Sequence, residues 1–156
     1  MLKLAAMPGI SKLAEKKLMK KVLPKFNLKL LSKSKLKSFD TDKNIGKVKL
    51  IKFWATWCGA CKMAQKPIHD FAKKYQGQIQ VLAVSSEEKI KLKKYLAHSK
   101  KDDSFSDSVM YLHDKDGKMS SDYLVPALPM FLVIDKKNVV RFLTMGIGEN
   151  LKEAFD

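Results

Sequence analysis

The apolar positions of this 156-residue chain predict strands and helices in alternation. Runs that are rich in β-branched and aromatic residues, or that alternate apolar with polar residues, are typical of strands. Such runs predict six strands, at 26–30, 48–55, 79–85, 109–112, 130–134 and 139–145. Apolar residues three and four apart predict helices at 58–75, 87–98 and 149–155. Strands alternating with helices predict an α/β fold, with helices flanking a central sheet.

The segments between these elements sharpen the expected topology. Only Asp135-Lys136-Lys137-Asn138 separates the last two strands, which predicts a hairpin and hence a mixed rather than a purely parallel sheet. The segment at 99–108 is charged and rich in serine, as loops are. Asp114-Lys115-Asp116-Gly117 has the composition of a calcium loop, but loop position 12, where an EF-hand needs Glu, is Val125. We therefore predict a turn there and no calcium.

Residues 1–23 are predicted to form a basic amphipathic extension that precedes a domain at 24–156. Ser11 can cap a helix that Pro24 ends, with lysines covering most of its surface. We favour a helix packed on the domain over attachment of residues 11–22 to an anionic membrane, because one such helix binds membranes only marginally. Pro8 and Gly9 leave too short an apolar run for a signal peptide. No run approaches the roughly 20 apolar residues of a membrane span.

The net charge of +15 is unevenly distributed. Residues 1–52 hold 15 lysines and three acidic residues, a net charge of +12, so the remainder carries only +3. Arg141 is the only arginine, although arginine is the side chain suited to bidentate contacts with bases and phosphates. The basic composition therefore does not predict specific nucleic-acid binding.

Both cysteines of the chain, Cys58 and Cys61, lie between a predicted buried strand and a predicted helix. At a helix start, unpaired backbone N–H groups and the helix dipole favour a thiolate. The pKa of a cysteine there falls from about 8.5 to between about 3.5 and 7.5, which makes Cys58 a nucleophile at neutral pH. Gly59 and Ala60 are small enough to let the two sulfurs form a disulfide within one turn. The spacing predicts a redox-active dithiol.

Two other uses of a cysteine pair fit the sequence less well. A structural zinc site needs four ligands, and the single histidines lie in unrelated segments, where we expect surface or loop residues: His69, His98 and His113. A permanent disulfide across three residues closes so small a loop that it hardly constrains the unfolded chain. We therefore predict redox chemistry and no metal at this pair.

The segment at 50–63, with Phe53-Trp54-Ala55-Thr56-Trp57-Cys58 at its centre, closely resembles the active-site segment of thioredoxin-fold proteins, in particular of the TlpA-like branch. The segment at 128–135 is similar to the cis-proline strand of that family. The turn at 114–118 and the strand at 24–28 are similar to elements of the same fold. The resemblance covers 24–156 and implies a thioredoxin fold, in which Phe53 and Trp54 belong to the core.

For the two cysteines the resemblance implies the roles of a protein dithiol-disulfide oxidoreductase. Cys58 would attack a substrate disulfide and form a mixed disulfide, and Cys61 would resolve it. Because the electrons reside in this pair, no dissociable cofactor is expected. The implied partners are a protein disulfide substrate and an upstream thiol electron donor. The implied setting is extracytoplasmic, such as thiol supply for cytochrome c maturation, although a cytoplasmic setting is also compatible with the cysteine content.

The resemblance also implies a substrate-binding set around the pair. Pro129 would be the cis proline that faces the sulfurs, and Leu128 would offer backbone hydrogen bonds to an extended substrate. Trp57 would shield the pair and contribute to docking, beside Gly59 and Ala60. The Gly59-Ala60 dipeptide is close to that of reducing thioredoxins, so we expect a reductase or isomerase rather than an oxidase.

Three positions depart from the family pattern. Thioredoxin has a buried Asp where this chain has Lys52, which we expect to reach solvent at the strand edge because a buried lysine is costly. Many TlpA-like reductases have an acidic residue where this chain has Ala64, so the proton acceptor for Cys61 is not assigned. Pro67 lies one residue later than the family's proline, which predicts an irregular helix after Cys61. A thioredoxin-like adaptor or copper metallochaperone is the alternative function for the same cysteines.

Overall fold

The computed structural model describes residues 8–31, 37–101 and 106–146, and the side chains from residue 12 onward. Seven strands form one mixed sheet in the order β2-β1-β5-β4-β3-β6-β7. Their bounds are β1 Asn27–Leu30, β2 Ser38–Asp40, β3 Val48–Phe53, β4 Ile79–Ser85, β5 Val109–His113, β6 Met130–Ile134 and β7 Val140–Met145. The central strands β3, β4 and β5 are parallel, while β6 runs antiparallel to β3. The mixed thioredoxin-like sheet is thereby confirmed.

In the described part of the chain, five α-helices accompany the sheet: α1 Pro8–Leu18, α2 Gly59–Met63, α3 Gln65–Lys74, α4 Lys89–Ser99 and α5 Lys118–Asp122. Successive residues of a strand point to opposite faces, and β3 shows the consequence. Ile51 and Phe53 belong to a core that includes residues of α1 and α5, while Leu50 and Trp54 belong to a second core with residues of α2, α3 and α4. Phe53 and Trp54 are both buried, as predicted.

The hairpin between β6 and β7 is confirmed, with Asn138 at a positive φ of 59° in its turn. Two short elements, β2 and α5, were not predicted. The helix predicted at 58–75 is two helices, α2 and α3, which meet at Ala64. Pro67 lacks the N–H that would bond to the carbonyl four residues earlier, which accounts for an interruption near this point. The helix predicted at 149–155 lies outside the described residues.

Helix α1 packs on the domain through two of its apolar residues. Ala14 and Leu18 are buried in the core that also holds β7 residues, while Leu13 is 46% exposed. The chain after α1 is joined to the sheet, because the backbone N–H of Lys20 donates to the carbonyl of Val140 at 2.8 Å. In the described part of the chain, no helix has the length and apolar content needed to cross a bilayer.

The prediction that all three histidines are surface or loop residues was wrong for two of them. His69 lies in α3 and is 1% exposed, with Nε2 2.7 Å from the hydroxyl of Tyr111 and Nδ1 2.7 Å from the backbone N of Ser106. His113 lies in β5, half-buried, with Nε2 2.8 Å from the carbonyl oxygen of Glu87. Hydrogen bonds to polar partners that are distant in sequence offset the cost of burying these two rings.

Candidate active site

The cysteine pair lies where the chain leaves the carboxyl end of β3 and enters α2. Cys58 is the N-cap of α2: its backbone is extended, with φ −84° and ψ 108°, and its carbonyl accepts the N–H of Lys62 at 3.2 Å. Its own N–H donates to Ala55 at 3.2 Å. These bonds fix the cysteine at the junction of the loop and the helix, as the sequence predicted.

Cys58 and Cys61 are joined by a disulfide, and both are buried, with exposures of 5% and 1%. The sulfur of Cys58 also accepts the backbone N–H of Cys61, with a donor-acceptor distance of 3.1 Å. A donor aimed at this sulfur favours negative charge on it once the disulfide is reduced. The geometry therefore suits Cys58 as the thiolate of the pair.

Lys52 does not reach solvent at a strand edge, and that prediction was wrong. Its strand, β3, lies inside the sheet between β4 and β6, and the residue is 5% exposed. Its Nζ donates to the carbonyl of Cys61 at 3.0 Å. Burial lowers the pKa of Lys52 from 10.5 to about 8, since removal from water disfavours the charged form. No sequence pattern indicates this contact, which spans nine positions.

Thr56 and Glu87 form a second support of the active-site loop that sequence reasoning missed. The carboxylate of Glu87 accepts the N–H of Thr56 at 2.8 Å and its hydroxyl at 2.9 Å. Glu87 follows β4, and Thr56 follows the neighbouring strand β3, so the contact spans two adjacent carboxyl ends of the sheet. Two polar residues at the ends of adjacent parallel strands are the signal from which this contact could have been proposed.

The five predicted substrate-binding residues differ in exposure. Trp57 is 69% exposed, and with half-buried Leu128 it lines a small pocket of about 90 Å³. The Leu128–Pro129 peptide bond is cis, and Pro129 is buried. Gly59 is exposed with open space around its Cα, while Ala60 is half-buried. Trp57 and Leu128 are thus brought together beside the pair.

The pairing of β3 with β6 brings the segment before β6 close to the segment after β3. Met130 of β6 pairs with Phe53 of β3, so the chain just before β6 and the chain just after β3 leave the sheet at the same end. Ala64, the position at which the resemblance led us to look for an acidic residue, is 1% exposed and adds no charge. Among the described residues, no cluster of three His, Cys, Asp or Glu side chains is arranged to hold a metal ion.

Known proteins are similar to this chain over most of its length. The AhpC/TSA family pattern matches residues 19–143. The thioredoxin-like protein YneN of Bacillus subtilis (strain 168) is 31% identical over 123 residues, which are 79% of this chain and 69% of that protein.

Solved structures share the fold. A protein described as the thiol:disulfide interchange protein DsbE, from Chlorobium tepidum, superposes with a TM-score of 0.74 and 25% identity, over 87% of this chain and 91% of that one. The exposed lipoprotein thioredoxin Etrx1 of Streptococcus pneumoniae has the same fold, with a TM-score of 0.70 and 23% identity, over 85% of this chain and 98% of that one. The chain therefore belongs to the AhpC/TSA family and, within the thioredoxin-like superfamily, to the TlpA-like branch of thiol-disulfide oxidoreductases.

Proposed function

We propose that the protein reduces disulfide bonds in other proteins. The observation that carries the proposal is the sulfur of Cys58, which caps α2 and accepts the N–H of Cys61 at 3.1 Å. A thiolate there is stabilised by the backbone, while the partner cysteine is close enough to close the disulfide. The dipeptide between them, Gly59-Ala60, contains no histidine that would add further stability to the thiolate and make the pair strongly oxidising.

The proposed reaction has two thiol-disulfide exchanges. The thiolate of Cys58 attacks one sulfur of the substrate disulfide, forms a mixed disulfide and releases the other substrate sulfur as a thiolate. Cys61 then attacks the sulfur of Cys58 and releases the second substrate thiolate. Two electrons pass from the cysteine pair to the substrate, so no dissociable cofactor is required. An upstream thiol donor must return two electrons to the pair before the next cycle.

We assign substrate docking to the surface around the pair. Trp57 offers a large exposed aromatic face, and exposed Gly59 leaves room for a substrate chain to approach. The backbone of Leu128 would pair with an extended substrate segment, with Pro129 beside it and Ala60 at the helix start. This set is the part of the site that would contact a protein substrate in both exchanges.

Reduction of insulin tests the proposal. The wild-type protein, supplied with dithiothreitol, should accelerate insulin reduction, and Cys58→Ser should abolish the acceleration. Cys61→Ser should accumulate a mixed disulfide on Cys58 that mass spectrometry identifies after trapping in cells. The equilibrium with glutathione should give a potential well below the roughly −120 mV of strong oxidants. Lack of turnover with stoichiometric copper binding would instead support the metallochaperone alternative.

The proposed setting is extracytoplasmic, in keeping with the TlpA-like branch. Etrx1, which shares the fold, is itself described as an exposed lipoprotein. For residues 11–22 we propose at most weak attachment to an anionic membrane, since Lys12, Lys16 and Lys17 are exposed but Ala14 and Leu18 are used in packing. Cell fractionation and liposome binding test the two proposals, and binding that survives deletion of residues 1–23 would count against the second.

A further inference from the structure

Strand β3 contains two buried lysines whose ammonium groups are in different surroundings. Lys49, near the start of the strand, has three acceptors at 2.7 to 2.9 Å, the carbonyls of Asn44 and Lys47 and the side chain of Asn138. Lys52, near the end, has one acceptor among the described residues, the carbonyl of Cys61. Since an ammonium has three protons to donate, the structure satisfies Lys49 fully and Lys52 in part.

Among the described residues, no carboxylate is hydrogen-bonded or ion-paired to Lys52. In register it pairs with Ala83 of β4 and Phe131 of β6, neither of which titrates. The buried or half-buried titratable groups that α2, α3, α4 and β5 place on this face of the sheet are Cys58, Cys61, His69, Tyr95 and Tyr111. The carboxylate of α3, Asp70, is exposed and paired with Lys66 at 2.8 Å. The carboxylate of Glu87, which supports the active-site loop, accepts two hydrogen bonds from Thr56. The group best placed to compensate Lys52 is thus a thiolate of the pair.

The distance between the charge and the sulfur is limited by covalent geometry. The carbonyl oxygen and Sγ of one cysteine are at most about 5 Å apart, so Nζ of Lys52 lies within about 8 Å of Sγ of Cys61. The surroundings are buried, and Coulomb attraction at this range with an effective dielectric constant of about 20 changes a thiolate population by roughly 30-fold. Burial also leaves the pKa of Lys52 at about 8, high enough for the ammonium to predominate at pH 7.

We propose that Lys52 is a positioning residue for the resolving cysteine: it holds the carbonyl of Cys61 and its ammonium stabilises the Cys61 thiolate. This inference rests on the proposed function, because it concerns the second of the two exchanges. In that exchange Cys61 loses its proton to solvent, and its sulfur attacks Cys58. The bond between Cys58 and the substrate sulfur breaks, and the leaving substrate thiolate takes up a proton. The cysteine pair is oxidised and the substrate is reduced.

The expected size of the effect is moderate. A roughly 30-fold gain in thiolate population is partly offset, because a thiolate of lower basicity attacks about fivefold more slowly. Loss of the ammonium should therefore slow resolution roughly three- to tenfold at pH 7. The first exchange, which uses Cys58, should change much less.

An aromatic disulfide, 5,5′-dithiobis(2-nitrobenzoate), separates the two exchanges in a single turnover. The reduced protein should release one equivalent of coloured thiolate when Cys58 attacks and a second when Cys61 resolves the mixed disulfide. In Lys52→Gln, which retains a donor for the carbonyl but has no charge, only the second release should slow three- to tenfold. Above about pH 9 the wild type should lose this advantage, because Lys52 becomes neutral there.

Two variants control the experiment. Lys62→Met removes an exposed charge from the residue next to Cys61, where solvent screens it, and should leave both releases within twofold of wild type. Lys52→Arg retains a charge that does not titrate, so the second release of coloured thiolate at pH 7 should stay within threefold of the wild-type rate. This variant tests the proposal even if Lys52→Gln fails to fold.

Each outcome decides one question. The role of the charge is overturned if the second release keeps its wild-type rate in Lys52→Gln. It is also overturned if the second release slows as much in Lys52→Arg as in Lys52→Gln. Equal slowing of both releases in Lys52→Gln also overturns it, since that is the signature of a general structural defect. A wild type with no second release refutes resolution by Cys61, and with it the proposed function.

Discussion

Glu87 holds Thr56 at two points, with one carboxylate oxygen 2.8 Å from the backbone N and the other 2.9 Å from the hydroxyl. Thr56 lies two residues before Cys58, so the contact ties the loop that enters α2 to the end of β4. The Glu87 side chain is 13% exposed, which limits competition from water. The position of the reactive cysteine therefore depends on a contact between two residues, Thr56 and Glu87, that are 31 positions apart in the sequence.

Removal of this carboxylate should weaken both the fold and the reaction. We expect Glu87→Ala to lower the free energy of unfolding by about 2 kcal/mol, because hydrogen bonds to a charged group contribute about 1.5–3 kcal/mol. Insulin reduction should slow several-fold as the loop loosens. Glu88→Ala is the matched control, because Glu88 is exposed and its side chain does not cap α4. Urea unfolding and insulin turnover that are the same in both variants would contradict the argument.

Trp57 should matter for protein substrates and not for stability. Its side chain is 69% exposed, so Trp57→Ala should change the free energy of unfolding by no more than about 0.5 kcal/mol. We expect insulin reduction to fall roughly three- to tenfold, because docking loses a large aromatic contact, while the small aromatic disulfide reacts at nearly the wild-type rate. Met63→Ala, at a residue 75% exposed on α2, should leave both rates nearly unchanged. Equal losses with the two substrates would refute a docking role.

The elements around the cysteines were predictable because their signals are local. All the signals for this part of the fold lie within residues 48–75: the apolar run that forms β3, the cysteine spacing and the helical periodicity after it. The segment at 128–135 could be placed only through the resemblance, since nothing in its own pattern says that it borders residues 70 positions earlier. Strand β2 has three residues, too few for a reliable period.

The supporting contacts could not be read from the sequence because their partners are far apart. Lys52 interrupts an apolar run, where a lysine is expected to reach solvent, and only its position between β4 and β6 buries it. His69 has the spacing of an exposed helix residue until Tyr111 and Ser106 are brought to it. In both cases the cost of burial is offset by specific hydrogen-bond partners outside the strand or helix that holds the residue.

Lys49 should contribute stability without affecting redox behaviour. Its ammonium joins the chain before β3 to the turn before β7, through acceptors on Asn44, Lys47 and Asn138. Lys49→Met leaves the buried Asn138 side chain and two partly buried carbonyls without this donor, and we expect the free energy of unfolding to fall by about 3 kcal/mol. The equilibrium with glutathione should stay at the wild-type value, because the site lies at the opposite end of β3 from Cys58. Lys47→Met, at an exposed neighbour, is the control in urea unfolding, and a comparable loss there would contradict this assignment.

The stability of the oxidised protein should rise with pH between about 8 and 10, and Lys52 should account for part of the rise. Burial lowers its pKa from 10.5 to about 8, so in this interval the unfolded chain binds more protons at this residue than the folded one. Stability rises with pH where the unfolded state binds more protons, here by up to about 3 kcal/mol.

One further lysine and two tyrosines also change the stability of the protein with pH, and they limit the pH range of that measurement. Lys49, whose pKa is also lowered by burial, acts in the same direction. Above about pH 10 the trend should reverse, because burial raises the pKa of Tyr111 and Tyr123 and the unfolded chain then loses protons first. Urea unfolding at pH 7, 8, 9 and 10 should show a shallower rise in Lys52→Gln than in wild type. Identical slopes would mean that Lys52 keeps an ordinary pKa in the folded protein, and that its ammonium is better hydrated than its burial implies.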